Sequence, residues 1–341
     1  MRHPLPDSIL GCLLGTAAGD ALGLPLERLT RRRIQHWTGA ELRHRLVFGC
    51  GMLSDDTDHT LMLAAALRRH CDDAAAMQRD FGRQLRWWLA ALPAGVGLST
   101  ARAILRLWIG FPASRSGVKS AGNGAAMRGA IVGVIFRDDA AMRHEFALAA
   151  CRVTHTDPRA EESALLVAEA AALAAHHAET KTVLDTLRPL VTSEEMKSRF
   201  AAMETGLSEK ISVSDYAARI GCEHGVSGFA PNSVAAALFG WLRHRGDFER
   251  VLTELIVCGG DTDSVAAIAG GICGTETGES GIPKAWITGI RDWPRSVTFI
   301  RSMAQESVAP PRVLWPAMLL RNLFFLGVVL THGFCRLLPP Y

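Results

Sequence analysis

The chain has 341 residues, 48% apolar and 21% charged, which fits a globular protein with one large core or two small ones and excludes a disordered chain. Its formal charge of +3 gives no electrostatic case for nucleic acid as a partner, and the basic run Arg28, Arg31, Arg32, Arg33 reads as a solvated face. Eight scattered cysteines show neither a C-x-x-C pair nor the Cys/His spacing of a zinc site. With no signal-peptide pattern either, a reducing cytoplasm is expected.

In chain order, an apolar stretch from Ile9 to Leu26 is interrupted by Asp20 and several glycines. Alanine-rich, leucine-spaced segments follow near 57–70, 74–92, 99–109, 139–153, 160–178, 232–245, 247–258 and 263–274, separated by Gly, Pro or Asp punctuation. The segment at 160–178 carries Glu161 and Glu162 at its start, where a helix favours acids. Thr192-Ser193-Glu194-Glu195 marks a further helix start, and residues 221–228 read as a loop. No period-two strand with hairpin signals is present, so an all-α fold is expected. Near the C-terminus, residues 314–330 are very apolar, but Pro316, Arg321 and Asn322 are expected to break the run short of the roughly 20 residues that span a bilayer. That segment is expected to pack on the main domain or at a dimer contact, with a membrane-surface or partner-docking role as the rival, and no transmembrane span is expected.

Two acidic clusters carry the chemistry. Ser54-Asp55-Asp56-Thr57-Asp58 and Gly259-Gly260-Asp261-Thr262-Asp263-Ser264 each open a helical stretch and crowd carboxylates with hydroxyls. Either alone reads as helix capping. Against that, Ser54 meets the first cap by itself, leaving three acids whose repulsion a cation would relieve, and apolar neighbours suggest that the second cluster is buried. Brought together, the two would offer hard oxygen ligands for Mg²⁺, Mn²⁺ or Ca²⁺. The Gly122-Asn123-Gly124 turn runs into a small-residue helix and could present N–H groups to a phosphate, although a plain inter-helix turn has the same signature. His155 reads by itself as a loop hydrogen-bonder.

Gly11-Cys12-Leu13-Leu14-Gly15-Thr16-Ala17-Ala18-Gly19-Asp20-Ala21-Leu22-Gly23, Ser54-Asp55-Asp56-Thr57, Gly122-Asn123-Gly124-Ala125-Ala126-Met127-Arg128, Thr154-His155 and Gly259-Gly260-Asp261-Thr262-Asp263-Ser264 are five motifs in an order that resembles the ADP-ribosylglycohydrolase family, over roughly residues 8 to 295. The resemblance implies a single compact orthogonal helical bundle over residues 1–309, with residues 310–341 as an extension. It implies two Mg²⁺ ions, for which Mn²⁺ substitutes, and release of ADP-ribose from a modified protein or a small conjugate. Ser54, Asp55, Asp56, Asp261, Asp263 and Ser264 would be metal ligands; the two serines stand where many relatives have threonine, which keeps the ligating hydroxyl. Gly122, Asn123, Gly124 and His155 would contact the diphosphate and riboses, and Asp56, Asp261 and Glu27 are the candidate catalytic acids and bases. Arginine is the leading acceptor, with serine or a small conjugate second. An immunity-type protein that occludes a cognate ADP-ribosyltransferase toxin is the alternative of a different class.

Overall fold

The computed structural model describes residues 6–38, 41–305, 311 and 313–336. Among these there are helices, 3-10 turns and isolated bridges, but no β-strand. The helices are α1 (Pro6–Gly23), α2 (Arg31–Thr38), α3 (Asp55–Arg69), α4 (Ala74–Ala90), α5 (Leu98–Trp108), α6 (Gly129–Ile135), α7 (Ala140–Arg152), α8 (Pro158–Ala175) and α9 (Thr180–Leu187). After these come α10 (Glu194–Glu209), α11 (Val213–Arg219), α12 (Ala230–Arg243), α13 (Phe248–Val257), α14 (Thr262–Thr277), α15 (Lys284–Thr288), α16 (Val297–Met303) and α17 (Trp315–Cys335). The eight segments expected from apolar spacing are all helices, at α3, α4, α5, α7, α8, α12, α13 and α14.

The glycines of the first stretch do not interrupt it. Gly11, Gly15 and Gly19 recur every fourth residue on one face of α1 and lie directly on the backbone of α14. A Cβ at Gly11 would stand 2.0 Å from Gly274 O, one at Gly15 2.1 Å from Gly270 O, and one at Gly19 2.1 Å from Ala266 O. Bare backbone lets the two helices approach more closely than side chains would allow. The pairing runs antiparallel and fixes a register in which the C-terminal end of α1 meets the first turn of α14, where Thr262 Oγ1 donates to Gly23 O at 2.8 Å. Asp20 is thereby carried to the end of the bundle where α14 begins. α8, rich in alanine over its second half, packs against α6, α7, α12 and α14 around this pair.

α17 corrects one expectation. Pro316 falls in its first turn, where a missing N–H costs nothing, and Arg321 and Asn322 point into the protein, so the helix is continuous for 21 residues. By length and composition α17 and the stretch from Asp7 to Leu26 would both suffice to cross a membrane; the latter is buried inside the bundle. The expected domain boundary between 309 and 310 lies outside the described residues.

Candidate active site

Asp20 organises the start of α3. Its Oδ2 accepts from Ser54 N at 2.9 Å, Thr57 N at 3.2 Å and Thr57 Oγ1 at 2.5 Å, so a carboxylate from α1 satisfies amides that open another helix. Burial pushes its pKa up to about 6 against the pull of those bonds. Ser54 caps the same helix, its Oγ accepting from Asp56 N at 3.2 Å. The capping reading therefore holds for Ser54, while Asp20, an acid with no local signal of a role, does the rest.

Of the acids that follow, Asp58 is not part of an uncompensated cluster. It accepts from Trp88 Nε1 at 2.8 Å and pairs with buried Arg295, which corrects the expectation that all three repel without relief. Among the described residues neither Asp55 nor Asp56 is in an ion pair of this kind. Asp56 Oδ2 accepts from Ser54 Oγ at 3.1 Å and from Ser264 Oγ at 3.3 Å, one hydroxyl from each cluster, and its Oδ1 is buried without a partner.

The second cluster is delivered by its glycine pair. Gly259 and Gly260 have φ of +79° and +86°, and a Cβ on them would lie 2.6 Å from Leu29 O and 2.1 Å from Val226 O, so only glycine fits between these segments. Arg28 N donates to Gly260 O at 2.7 Å and Asp261 N to Val226 O at 2.7 Å, fixing the turn. Asp261 stands at the N-cap of α14 but makes no capping bond with its side chain. Its Oδ2 instead accepts from Asn123 Nδ2 at 2.8 Å, which ties this cluster to the glycine loop. Asp263 is buried, with Oδ1 unpartnered.

The loop at 122–124 is already partly engaged. Gly122 N donates to Ser120 Oγ at 3.3 Å and Asn123 N to Gly228 O at 3.0 Å, and the Asn123 amide also reaches Ser233 Oγ at 3.0 Å. The His155 ring lies beneath it, and Cβ atoms at Gly122 and Gly124 would stand 3.4 Å and 3.0 Å from that ring. Burial and the nearby Arg128 push the His155 pKa down to about 3, so the imidazole is neutral. Arg128, fully buried, donates to Gly124 O, Ala150 O and Thr154 Oγ1 and holds the loop to the end of α7. Glu27 stands half-exposed at the rim, bonded to Arg28 Nε at 3.2 Å, its pKa raised chiefly by burial and by Asp261.

Glu27, Ser54, Asp55, Gly122, Asn123, Gly124, His155, Asp261, Asp263 and Ser264 all line one cleft of about 290 Å³, with Asp56 bonded just behind through Ser264. The residues named from sequence as metal ligands, catalytic groups and substrate contacts thus line this cleft or, like Asp56, lie directly behind it, whereas Asp58 turns away to Trp88 and Arg295. Burial, reinforced by the neighbouring carboxylates, pushes Asp55 up to about 8 and raises Asp56 and Asp263 far above the ordinary carboxylate range. Among the described residues no three His, Cys, Asp or Glu side chains converge on one point, so a divalent ion would draw on hydroxyls and water as well as carboxylates. The donor set suits such an ion: hard oxygens with buried, unpartnered carboxylate atoms on Asp56 and Asp263.

The family model described as ADP-ribosylglycohydrolase matches residues 1–315. The chain belongs to the ADP-ribosylglycohydrolase family. An uncharacterized protein of Archaeoglobus fulgidus is 31% identical over 84% of this chain and 93% of its own. The ADP-ribosylarginine hydrolase Tri1 of Pseudomonas putida is 27% identical over 88% of this chain and 77% of its own. A solved structure titled ADP-ribosylglycohydrolase-related protein complex superposes with a TM-score of 0.67 at 28% identity, covering 88% of this chain and 96% of that one. The all-helical bundle is thus that of the ADP-ribosylglycohydrolases, a family of ADP-ribosyl hydrolases known for dimetal sites. Four of the five motifs line the cleft of this member, and the first, through Asp20, supports α3 from behind.

Proposed function

We propose that this ADP-ribosylglycohydrolase is a Mg²⁺-dependent ADP-ribosyl-acceptor hydrolase that releases ADP-ribose from modified arginine on a protein. The observation that carries the reading is the bond between Ser264 and Asp56, which joins the two acidic clusters on a cleft whose other wall is the glycine loop. Ser54, Asp55, Asp56, Asp261, Asp263 and Ser264 would hold two Mg²⁺ ions. Bound there, these would supply Lewis-acid charge for ordering a ribose diol and acidifying water. Arginine as acceptor is supported by the name of the Pseudomonas putida relative, and a cytoplasmic setting by cysteines that are all free.

The chain's own groups supply the rest. The bond from the anomeric carbon to the guanidinium nitrogen breaks through an oxocarbenium-like state, which the carboxylates around the cleft stabilise by charge. The water oxygen bonds to that carbon as its proton passes to Asp56 or Asp261. The departing guanidine nitrogen takes a proton from Glu27, whose raised pKa at the rim suits an acid. His155, neutral and buried, and the 122–124 loop would hold the diphosphate and riboses by hydrogen bonds rather than by charge. Purified protein offered arginine-linked, serine-linked and small-molecule ADP-ribose, with and without Mg²⁺, tests this: release from arginine only with Mg²⁺ supports it, and release from none contradicts it.

A further inference from the structure

α17 has only its first residue within the matched family region, yet it is wired to the site at both ends. Near its start, buried Arg321 donates to Asp292 Oδ1 at 2.9 Å and to Leu53 O at 2.5 Å, while Asp292 Oδ2 accepts from Leu53 N at 2.9 Å. One ion pair thus grips both backbone groups of the residue immediately before Ser54. Near its end, Arg336 donates to Glu27 O at 2.9 Å and also to Pro25 O, and His332 Nε2 lies 3.1 Å from Pro25 O. Between these anchors Phe325 and Val329, one turn apart, form part of the cleft wall.

Packing alone does not explain this. Although the helix is strongly apolar, only Met318, Arg321, Asn322 and Phe325 are buried, and half of those are polar. Leu320, Leu323, Phe324, Leu326, Leu330 and Phe334 face solvent. Burying an ion pair is costly unless every donor and acceptor is used, and it brings little net stability over an apolar pair. What this pair adds is geometric: a planar fork fixed at once on a carboxylate and on a peptide carbonyl.

We propose that α17 is a functional part of the site: Arg321, through Asp292 and Leu53, is a positioning residue for Ser54, Asp55 and Asp56, Arg336 positions Glu27, and Phe325 and Val329 contact the bound ADP-ribose conjugate. This rests on the reading of the cleft as a metal-dependent ADP-ribosyl hydrolase site. Outer partners of metal ligands are worth about 10- to 100-fold in affinity or activity. Arg321→Lys keeps the charge beside Asp292 but loses the fork to Leu53 O, so Mn²⁺ affinity by calorimetry should fall about tenfold and kcat with it. Arg336→Met, at the helix end, should lower kcat with Mn²⁺ affinity unchanged. Val329→Ala should weaken ADP-ribose binding and raise KM severalfold while leaving kcat and Mn²⁺ affinity intact.

Arg143→Lys, which disturbs the Arg143–Glu169 pair between α7 and α8 away from the cleft, is the control for loss of stability alone. It should lower Tm without moving either affinity. If Arg321→Lys changes only Tm, as Arg143→Lys does, and Arg336→Met and Val329→Ala leave kcat and KM at the parent's values, α17 is packing only and the proposal is wrong. A parent protein that binds neither Mn²⁺ nor ADP-ribose would instead overturn the site reading, and this proposal with it.

Discussion

Ser264 Oγ donates to Asp56 Oδ2 at 3.3 Å, joining two acidic segments 208 residues apart in the chain. Each segment opens its own helix, and neither would bury unpaired carboxylates for the sake of that helix. Asp263 Oδ1 and Asp56 Oδ1 have no partner, and both acids have pKa values raised by burial and then by neighbouring carboxylates, Asp55 and Asp20 beside Asp56, and Asp261 and Asp56 beside Asp263. A raised folded pKa means that stability is full below about pH 4 and declines as pH rises toward and through the folded value. In metal-free protein at pH 7 to 8, Asp263→Asn should therefore raise Tm by a few degrees while cutting activity at least about a hundredfold. Thermal melts in EDTA and in Mg²⁺ check this, since the parent should gain from Mg²⁺ and the variant should gain little.

Asp20 is expected to be structural. Its Oδ2 serves three donors at the start of α3, so Asp20→Ala should cost about 3 kcal/mol or more in denaturant unfolding. Asp20→Asn, which keeps one acceptor oxygen in place, should cost distinctly less. Equal and small losses for both would remove Asp20 from this role.

The glycine face of α1 gives a contrast within one protein. Gly15→Ala places a methyl 2.1 Å from Gly270 O, backbone that cannot turn aside, and should destabilise by about 3 kcal/mol or more. Gly327→Ala in α17 meets nothing within 4 Å and should instead stabilise by about 0.5–1 kcal/mol through helix propensity. Similar outcomes at the two positions would contradict the close approach of α1 and α14.

Buried neutral histidines set the acid limb of stability. His59 has no partner on either ring nitrogen, packs edge-on to Trp88 at 4.5 Å, and is held far below the ordinary imidazole pKa by burial and by Arg128 and Arg295. Unfolding lets it take up a proton below about pH 6.5, so stability is lost as pH falls through that point, and for His155 the loss continues toward its pKa of about 3. His59→Phe keeps the ring packing and should flatten the slope between pH 6 and 5 by up to about 1.4 kcal/mol per pH unit. Urea midpoints across that range give the answer, and an unchanged slope would mean that His59 does not resist protonation.

Local pattern announced the helices, because apolar spacing and caps are short-range signals, and it announced the two acid clusters and the glycine pair at 259–260. What it could not show was pairing across distance. Asp20 looks like a blemish in an apolar stretch until its partners at Ser54 and Thr57 are in place. Asp58 looks like a third uncompensated acid until its pairing with Arg295 is seen. The 122–124 loop reads as a set of free amides, yet two of them are taken by Ser120 and Gly228. Arg321 and Asn322 read as breaks in an apolar run, whereas both turn inward, Arg321 to Asp292 and Asn322 to Ala91 O.

Catalytic turnover is the most direct test. A trace of the protein is added, with Mg²⁺, to an arginine-ADP-ribosylated target after the modifying reaction has been stopped, and loss of label is followed against Asp56→Ala. The account predicts many labels removed per protein molecule, with essentially none removed by Asp56→Ala or by the parent in EDTA. Protection that requires one molecule per transferase, fails on target already modified and survives Asp56→Ala would contradict it, and would mean that the protein acts by binding.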